Sequence, residues 1–394
     1  MIDRYYLQTY EQKSGKNKNR SGGVMRKTIC AIGVLAASSS VASAGAIDRS
    51  SQSTAVMFEP GGYVELTYGF LSPNVEGQEP AALGGQKSGE MYNDYRTGSF
   101  SIKTELQPGF DLGFIIDKPY GADTAYPLGT GYIAAGTTAS LDSTSYTALL
   151  RYRFPSNVSV LGGIRYQTLS ADAFIPFLTP RPGVTPPYSV VGDEDGAFGY
   201  VLGVAWEKPE IAARVSLTYN SKIDYDLDTV ETSVFGTVNS KTAVNTPQSV
   251  NLEFQSGVAA NTLVFGSIRW VEWSDFVIAP PSYSRLSGGV PLVYYNDDTW
   301  TYTLGVGYQF NETWSGAISY SHDTSIGGYM LNLGPVDGYD SIGLAVSYTR
   351  GQMKFTGAVR YYALGDTQTQ IGPYTNTFDG NDAIGIGFRV GYTF

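Results

Sequence analysis

The stretch Thr299–Asp323, TWTYTLGVGYQFNETWSGAISYSHD, decides the fold. Trp300, Tyr302, Leu304, Val306, Tyr308 and Phe310 alternate with Thr301, Thr303, Gly305, Gly307 and Gln309. Asn311-Glu312 reverses the chain, and Trp314, Gly316, Ile318 and Tyr320 then alternate with Ser315, Ala317, Ser319 and Ser321. Successive side chains of a strand point to opposite faces, so the spacing predicts a hairpin with one greasy face and one small, polar face. The greasy face is zoned, with aromatics at both ends and Leu304, Val306 and Ile318 between them. A soluble core has no use for two levels of rings one bilayer apart. A strand facing lipid does, because aromatic girdles sit at both interfaces.

Fourteen segments alternate in this way: 62–72, 97–106, 109–117, 141–153, 157–169, 196–207, 211–222, 247–255, 261–274, 299–310, 313–323, 339–350, 352–365 and 381–394. Their connections alternate too. Gln107-Pro108, Pro155-Ser156, Lys208-Pro209, Ser256 to Ala260, Asn311-Glu312 and Gly351 are tight, and the connections between them are long. Short periplasmic turns, long external loops and an even strand number are the topology of an outer-membrane barrel. Segment 381–394 is the cleanest, with Ile384, Ile386, Phe388, Val390, Tyr392 and Phe394 on one face. Such a closing strand, with its terminal aromatic, suits the barrel assembly machinery as a partner. Only 16% of the 394 residues are charged, against about 25% in soluble domains. No apolar run reaches the roughly 20 residues of a membrane helix. The expected fold is all-β: a transmembrane antiparallel β-barrel of about 14 strands over 62–394, monomeric and surrounded by outer-membrane lipid.

The front of the chain reads as an export signal. Met25-Arg26-Lys27 is a basic start, Thr28 to Ala37 an apolar core, and Ala42-Ser43-Ala44 a small-x-small cleavage site. Residues 25–44 are thus an expected signal peptide, 1–24 an over-extension of the reading frame, and 45–61 a short N-terminal segment ahead of the barrel. Removing the seven Lys/Arg and two Asp/Glu before residue 45 leaves 19 basic against 34 acidic residues. That balance argues against nucleic acid as a partner. Cys30, the only cysteine, falls inside the signal, so neither disulfides nor a thiolate metal site are expected.

Ionisable residues within the segments fall mostly on the small, polar face. A barrel turns that face to its lumen, where a charge escapes the roughly 2–4 kcal/mol it costs at the lipid midplane. Arg165, Arg269 and Arg360 each lie eight residues above a periplasmic turn and share one expected level. Trp273 points inward with Arg269, and Arg389 sits lower. Two readings stand: paired charges that hold the barrel's shape, or an arginine level that takes an anionic head group by bidentate hydrogen bonds. Lumen glycines such as Gly305 and Gly343 are expected to leave room for a plug or a ligand. Three external loops are greasier than loops need be. They carry Phe174 and Phe177 in 170–195, Phe276, Tyr283 and Tyr294 in 275–298, and Tyr120, Tyr126 and Tyr132 in 118–140. Such patches either pack on one another as a lid or capture a ligand. The lone His322 stands in Ser321-His322-Asp323, but neighbours on a strand point apart, so no triad is expected. The sequence holds no nucleophile elbow, phosphate loop or metal-ligand spacing, and neither enzyme activity, a cofactor nor a metal is expected.

Four blocks together resemble the long-chain fatty acid transporter family of Gram-negative outer membranes, the FadL/TodX type. Pro247-Gln248-Ser249 and Trp270-Val271-Glu272-Trp273-Ser274-Asp275-Phe276 resemble the family's P-x-S and W-x-x-W-S-x-F. Asp298-Thr299-Trp300, with Tyr308-Gln309-Phe310-Asn311-Glu312 and Trp314, resembles its next hairpin. Asp111-Leu112-Gly113-Phe114 with Lys118-Pro119-Tyr120-Gly121 resembles its third strand and the loop that follows. The resemblance implies a fourteen-stranded barrel with an N-terminal hatch, a lateral gap beside the third strand, and fatty acids or aromatic hydrocarbons as ligands. In this chain the lateral opening falls to strand 109–117, with Gly109 and Gly113 expected to permit its kink. The family's Asn-Pro-Ala before the first strand is replaced by Phe58-Glu59-Pro60-Gly61.

Residues 45–61 are then expected to form a reduced hatch. Ser50 to Thr54 is polar, Ala55 to Phe58 offers one apolar patch, and Pro60-Gly61-Gly62 allows the reversal into the first strand. Glu59 cannot donate as Asn does and is expected to pair with Arg151, Arg153 or Arg214. The function expected is passive outer-membrane transport of a hydrophobic compound, long-chain fatty acids foremost, with lateral release. A polar-solute porin is the alternative, and an outer-membrane lipase a third reading. Deleting Ile47 to Met57 tests the hatch: ion conductance should rise and specific uptake fall, whereas no change in either would make the segment a leader.

Overall fold

The computed structural model describes residues 47–176 and 187–394. The expected signal peptide, residues 1–24 and Phe177 lie outside the described residues. Among the described residues, fourteen antiparallel strands form a closed barrel. They are β1 Tyr63–Asn74, β2 Tyr95–Gln107, β3 Phe110–Asp117, β4 Thr138–Arg153, β5 Val158–Ile175, β6 Tyr188–Lys208 and β7 Ala213–Asn220, followed by β8 Ser249–Ala259, β9 Thr262–Val271, β10 Thr299–Gln309, β11 Trp314–Asp323, β12 Tyr339–Arg350, β13 Met353–Leu364 and β14 Asp382–Thr393. β14 pairs with β1 from Thr393 opposite Tyr63 to Asp382 opposite Asn74, which closes the sheet. Closure satisfies the edge N–H and C=O groups that hydrocarbon would leave unpaired.

The hairpin β10–β11 folds as its alternation predicts. Trp300, Tyr302, Leu304, Val306, Tyr308, Trp314, Ile318 and Tyr320 are exposed on the outer face, while Thr303, Gly305, Ser319 and Ser321 point inward. Cross-strand ring pairs mark the two interfaces. Trp270 of β9 lies 6.5 Å from Trp300 at one end, and Trp314 lies 4.9 Å from Tyr348 of β12 at the other. The tight turns use left-handed residues where the chain must reverse: Gly109, Asn157, Asn261 and Gly351 all have positive φ. In the β10–β11 turn, Asn311 Oδ1 accepts the Thr313 and Trp314 N–H groups at 2.9 Å.

Two features of the outer half depart from expectation. Residues 223–246, expected as a loop, form a hairpin of Ile223–Ser233 and Gly236–Thr246 that leans on the upper part of β6. Ile223, Tyr225 and Leu227 are buried on its inner face, and Asp224, Asp226 and Asp228 are exposed on its outer face. The second feature is a break in the wall. β3 stops at Asp117, Lys118-Pro119-Tyr120 interrupts it, and Gly121–Ala125 resumes pairing with β4. On the other side, the β2–β3 ladder ends at Phe100 opposite Ile116, and Tyr95–Ser99 pair only with β1. Proline at 119 has no N–H to give a ladder, so the gap falls there. Gly109 and Gly113 lie below it. Gly109 is in the periplasmic turn, and Gly113 is paired with both Lys103 and Leu149.

The N-terminal segment fills the lumen below that gap. Its polar part is tied to inward side chains of β8: Ser249 Oγ donates to Gln52 Oε1 at 3.1 Å, Asn251 Nδ2 to Ser51 O at 2.7 Å, and Ser53 Oγ to Glu253 Oε1 at 2.6 Å. Ser50 Oγ donates to Asp117 Oδ2 across the lumen at 2.6 Å. The 3-10 turn Ala55–Phe58 buries Val56 and Met57. Phe58 sits between Arg151 and Arg214, whose Cζ atoms lie 4.3 and 4.6 Å from its ring centroid. Such contacts are worth about 1 kcal/mol each. Glu59 does not pair with Arg151, Arg153 or Arg214. Its carbonyl takes the Lys103 ammonium at 3.1 Å, and that ammonium also reaches Gly61 O and Asp111. Burial pushes the Glu59 carboxyl up, against the pull of Lys354. Pro60 is exposed, and Gly61 has the left-handed φ of +67° that the reversal requires. Gly113 is the socket for Met57, because a Cβ there would overlap the Met57 sulfur. Gly113→Val should therefore expel the turn at about 1–3 kcal/mol and raise single-channel conductance in a barrel that still closes. Unchanged conductance would show that Met57 does not hold the segment in place.

Candidate ligand chamber and lumen

The outer end of the barrel is built around the two tryptophans of the 270–276 block. β9 ends at Val271, three residues earlier than the pattern suggested, and Trp273–Asp275 form a 3-10 turn. Asp298 fixes this corner: Trp270 Nε1 donates to its Oδ2 at 3.1 Å, and Ser274 Oγ to its Oδ1 at 2.6 Å. Trp270 therefore stays on the outer face while Trp273 turns in, fully buried. Trp273 packs at 5.9 Å on Tyr120, 5.8 Å on Phe276 and 5.2 Å on Tyr295. The Trp273 Nε1–H is buried and donates to no acceptor. Burial pushes the Tyr295 phenol up, as the apolar surroundings dictate.

The loop beyond folds into a cover. Val277–Ile278 pairs with Val293–Tyr294, and the short helix α1, Pro281–Leu286, lies between them. Glu231, from the 223–246 hairpin, pins the helix by accepting the Ser282 and Tyr283 N–H groups at 3.1 and 3.0 Å. It also accepts the Tyr188 hydroxyl at 2.9 Å, and Tyr283 stacks on Tyr188 at 5.2 Å. Beneath this cover lies a chamber of about 690 Å³, counted to its open mouth. Leu141, Ala173, Leu227, Phe276, Tyr295 and Leu333 form much of its wall, Ile47 reaches its floor, and Ser140, Asp172, Thr229 and Thr242 supply the few polar groups. That lining suits a hydrophobic small molecule.

The loop aromatics divide. Phe276 lines the chamber, and Tyr283 belongs to its cover. Phe174 lies on β5 and is exposed, and Ala173 beside it faces the chamber instead. Tyr294 is half-buried in the cover strand, while its neighbour Tyr295 in the same greasy loop lines the chamber. Ile223, Tyr225 and Leu227 were missed in the sequence, although Ile-Asp-Tyr-Asp-Leu-Asp carries a plain period of two.

The arginines point inward, on β5, β9 and β13, but each has a different partner set. Arg269 donates from Nε to Asp48 Oδ2 at 3.0 Å, and from Nη1 to Asn251, Ser249 and Ser51 O, so it anchors the N-terminal segment. Burial pushes the Asp48 carboxyl up, against the downward pull of Arg269. Arg165 donates to Thr147 Oγ1 at 2.9 Å. Arg360 is held by Ser319, Ser321 and Ser341 at 2.8–3.0 Å and fills the space left by Gly343. Phe265 fills the space beside Gly305 in the same way, so neither glycine leaves a void. Arg389 reaches Glu65 at 3.5 Å. Ser321 and Asp323 face the lumen while His322 points outward to Asp340, so the three do not converge. Among the described residues no cluster of metal-ligating side chains occurs.

Solved structures share this architecture. A Pseudomonas aeruginosa FadL homologue superposes with a TM-score of 0.70 at 13% identity, covering 86% of this chain and 92% of that one. The P. putida toluene transporter TodX gives 0.64 at 13% identity, with the same coverage of 86% and 92%. The Ralstonia pickettii toluene transporter TbuX gives 0.61 at 13%, covering 92% and 98%. No curated protein sequence matches the chain. The family model described as outer membrane protein transport protein (OMPP1/FadL/TodX) matches residues 71–325, more than half of the 394 residues. The chain therefore belongs to this family of outer-membrane transporters of hydrophobic compounds.

Proposed function

We propose that the protein passively carries long-chain fatty acids from the outer loops through the chamber, past the hatch formed by 47–61, and sideways through the β2–β3 gap into the membrane. The carrying observation is the apolar chamber, which ends at Ile47, two residues from the hatch side chain beside the gap. A ligand that leaves into hydrocarbon gains from such a route at every step. A polar solute does not, and the axial route is crossed by hydrogen bonds from β8 to Asp117. These contacts weigh against the porin reading. Aromatic hydrocarbons are the second substrate class, since two of the solved relatives are toluene transporters.

Ala173→Trp puts a large ring into the chamber from a rigid strand. Oleate uptake by a host lacking its own transporter should fall about tenfold, equivalent to about 1.4 kcal/mol, with single-channel conductance unchanged. Undiminished uptake would take the chamber off the path. A large steady conductance of the unmodified protein would favour the porin reading instead.

A further inference from the structure

Arg49 is held differently from its neighbours in the hatch. Asp48, Ser50, Gln52 and Ser53 all have side-chain partners on the barrel wall. Arg49 is 9% exposed, its Nε is buried without an acceptor, and it forms no ion pair among the described residues. Of the acidic side chains that act on it, Asp123 accepts from Asn93 at 3.0 Å and Asp142 from Lys118 at 2.8 Å. The backbone around Arg49 is nevertheless fixed. Its N–H donates to Pro119 O at 2.8 Å, and Gly121 N–H donates to Ile47 O at 2.8 Å. The guanidinium sits over the Tyr95 ring, 4.1 Å from Cζ to its centroid, and against Gly121, where a Cβ would come within 2.6 Å of Cζ.

This cation borders a shallow recess walled by Leu71, Val75, Tyr92, Val336, Leu364 and Ala383, with Asn93 and Asp123 at its polar edge. The recess sits at the gap, because Tyr95 belongs to the unpaired stretch of β2 and Gly121 follows the interruption in β3. A buried guanidinium with an unfilled donor is costly, and native proteins rarely leave one without reason. An always-charged donor beside hydrocarbon walls has the chemistry to hold a carboxylate carrying an apolar tail. We infer that Arg49 is the head-group subsite at the lateral gap, so that the hatch itself carries the counter-charge of an anionic amphiphile. This rests on the transport reading above and sharpens it toward carboxylates over neutral hydrocarbons.

The test is calorimetric titration of the detergent-folded protein with oleate and with methyl oleate, which shares the tail and lacks the charge. The unmodified protein should prefer oleate about tenfold. Arg49→Met should abolish that preference and leave methyl oleate binding unchanged, and Arg49→Lys should keep most of it. Heat-modifiable electrophoretic mobility reports that each variant is a closed barrel. Equal binding of both ligands by the unmodified protein, a preference that survives Arg49→Met, or equal weakening of both ligands by Arg49→Met would each overturn the inference while leaving the transport reading intact. An unmodified protein that binds neither ligand would overturn both.

Discussion

Every other feature of this molecule depends on one constraint: inside a bilayer, a backbone N–H or C=O has no water to bond to. The β14–β1 ladder answers it by closing the sheet, and the outer face then needs only side chains that lipid tolerates. The constraint also gives meaning to the single stretch where pairing lapses. Between Tyr95–Ser99 and Lys118–Tyr120 the wall has no ladder, and the N-terminal segment bonds Pro119 O and the Gly121 N–H there from inside. Pro119 O accepts from Arg49 N–H, and Tyr120 is held through Ser143, whose Oγ bonds both its N–H and its C=O.

The hatch and the wall differ in what holds them. The wall is backbone paired with backbone in an apolar medium. The N-terminal segment is held largely by side-chain hydrogen bonds of Ser, Asn, Gln and Glu, each contributing about 0.5–1.5 kcal/mol, together with the Asp48–Arg269 pair. Only Met57, Val56 and the Arg–Phe58–Arg stack add an apolar anchor, at the periplasmic end. The upper part, Ile47 to Thr54, is held instead by the buried Asp48–Arg269 pair and by backbone bonds to Pro119 and Gly121, and it is the part that touches the chamber and the gap.

Much of this was legible in the sequence. A period of two cannot be mistaken over fourteen segments, and the alternation of tight and long connections gave the topology. The faces of Arg165, Arg269 and Arg360 followed from the same period, but their partners did not. Asp48 is 221 residues from Arg269, and the three serines around Arg360 come from two other strands. Trp273 read as a strand residue because the period ran through it; the corner that ends β9 is made by Asp298, on the far side of a long loop. The kink was assigned to glycines, whereas the missing N–H of Pro119 accounts for its place. Glu59 was read by its charge, but Phe58 took the two arginines and left only the Glu59 carbonyl in use.

The hairpin of residues 223–246 adds a consequence for the rate of arrival. On its outer face Asp224 pairs with Lys222 and Asp228 with Lys241, Asp226 stands exposed between them, and exposed Asp193 and Glu194 lie on β6 beside it. An anion approaching from the medium meets this net negative rim before it meets the chamber. At low ionic strength the rim repels it over tens of ångströms; near physiological salt the repulsion fades within about 8 Å. The approach of an anion to this rim is thus sensitive to the ionic strength outside, and that of a neutral molecule is not.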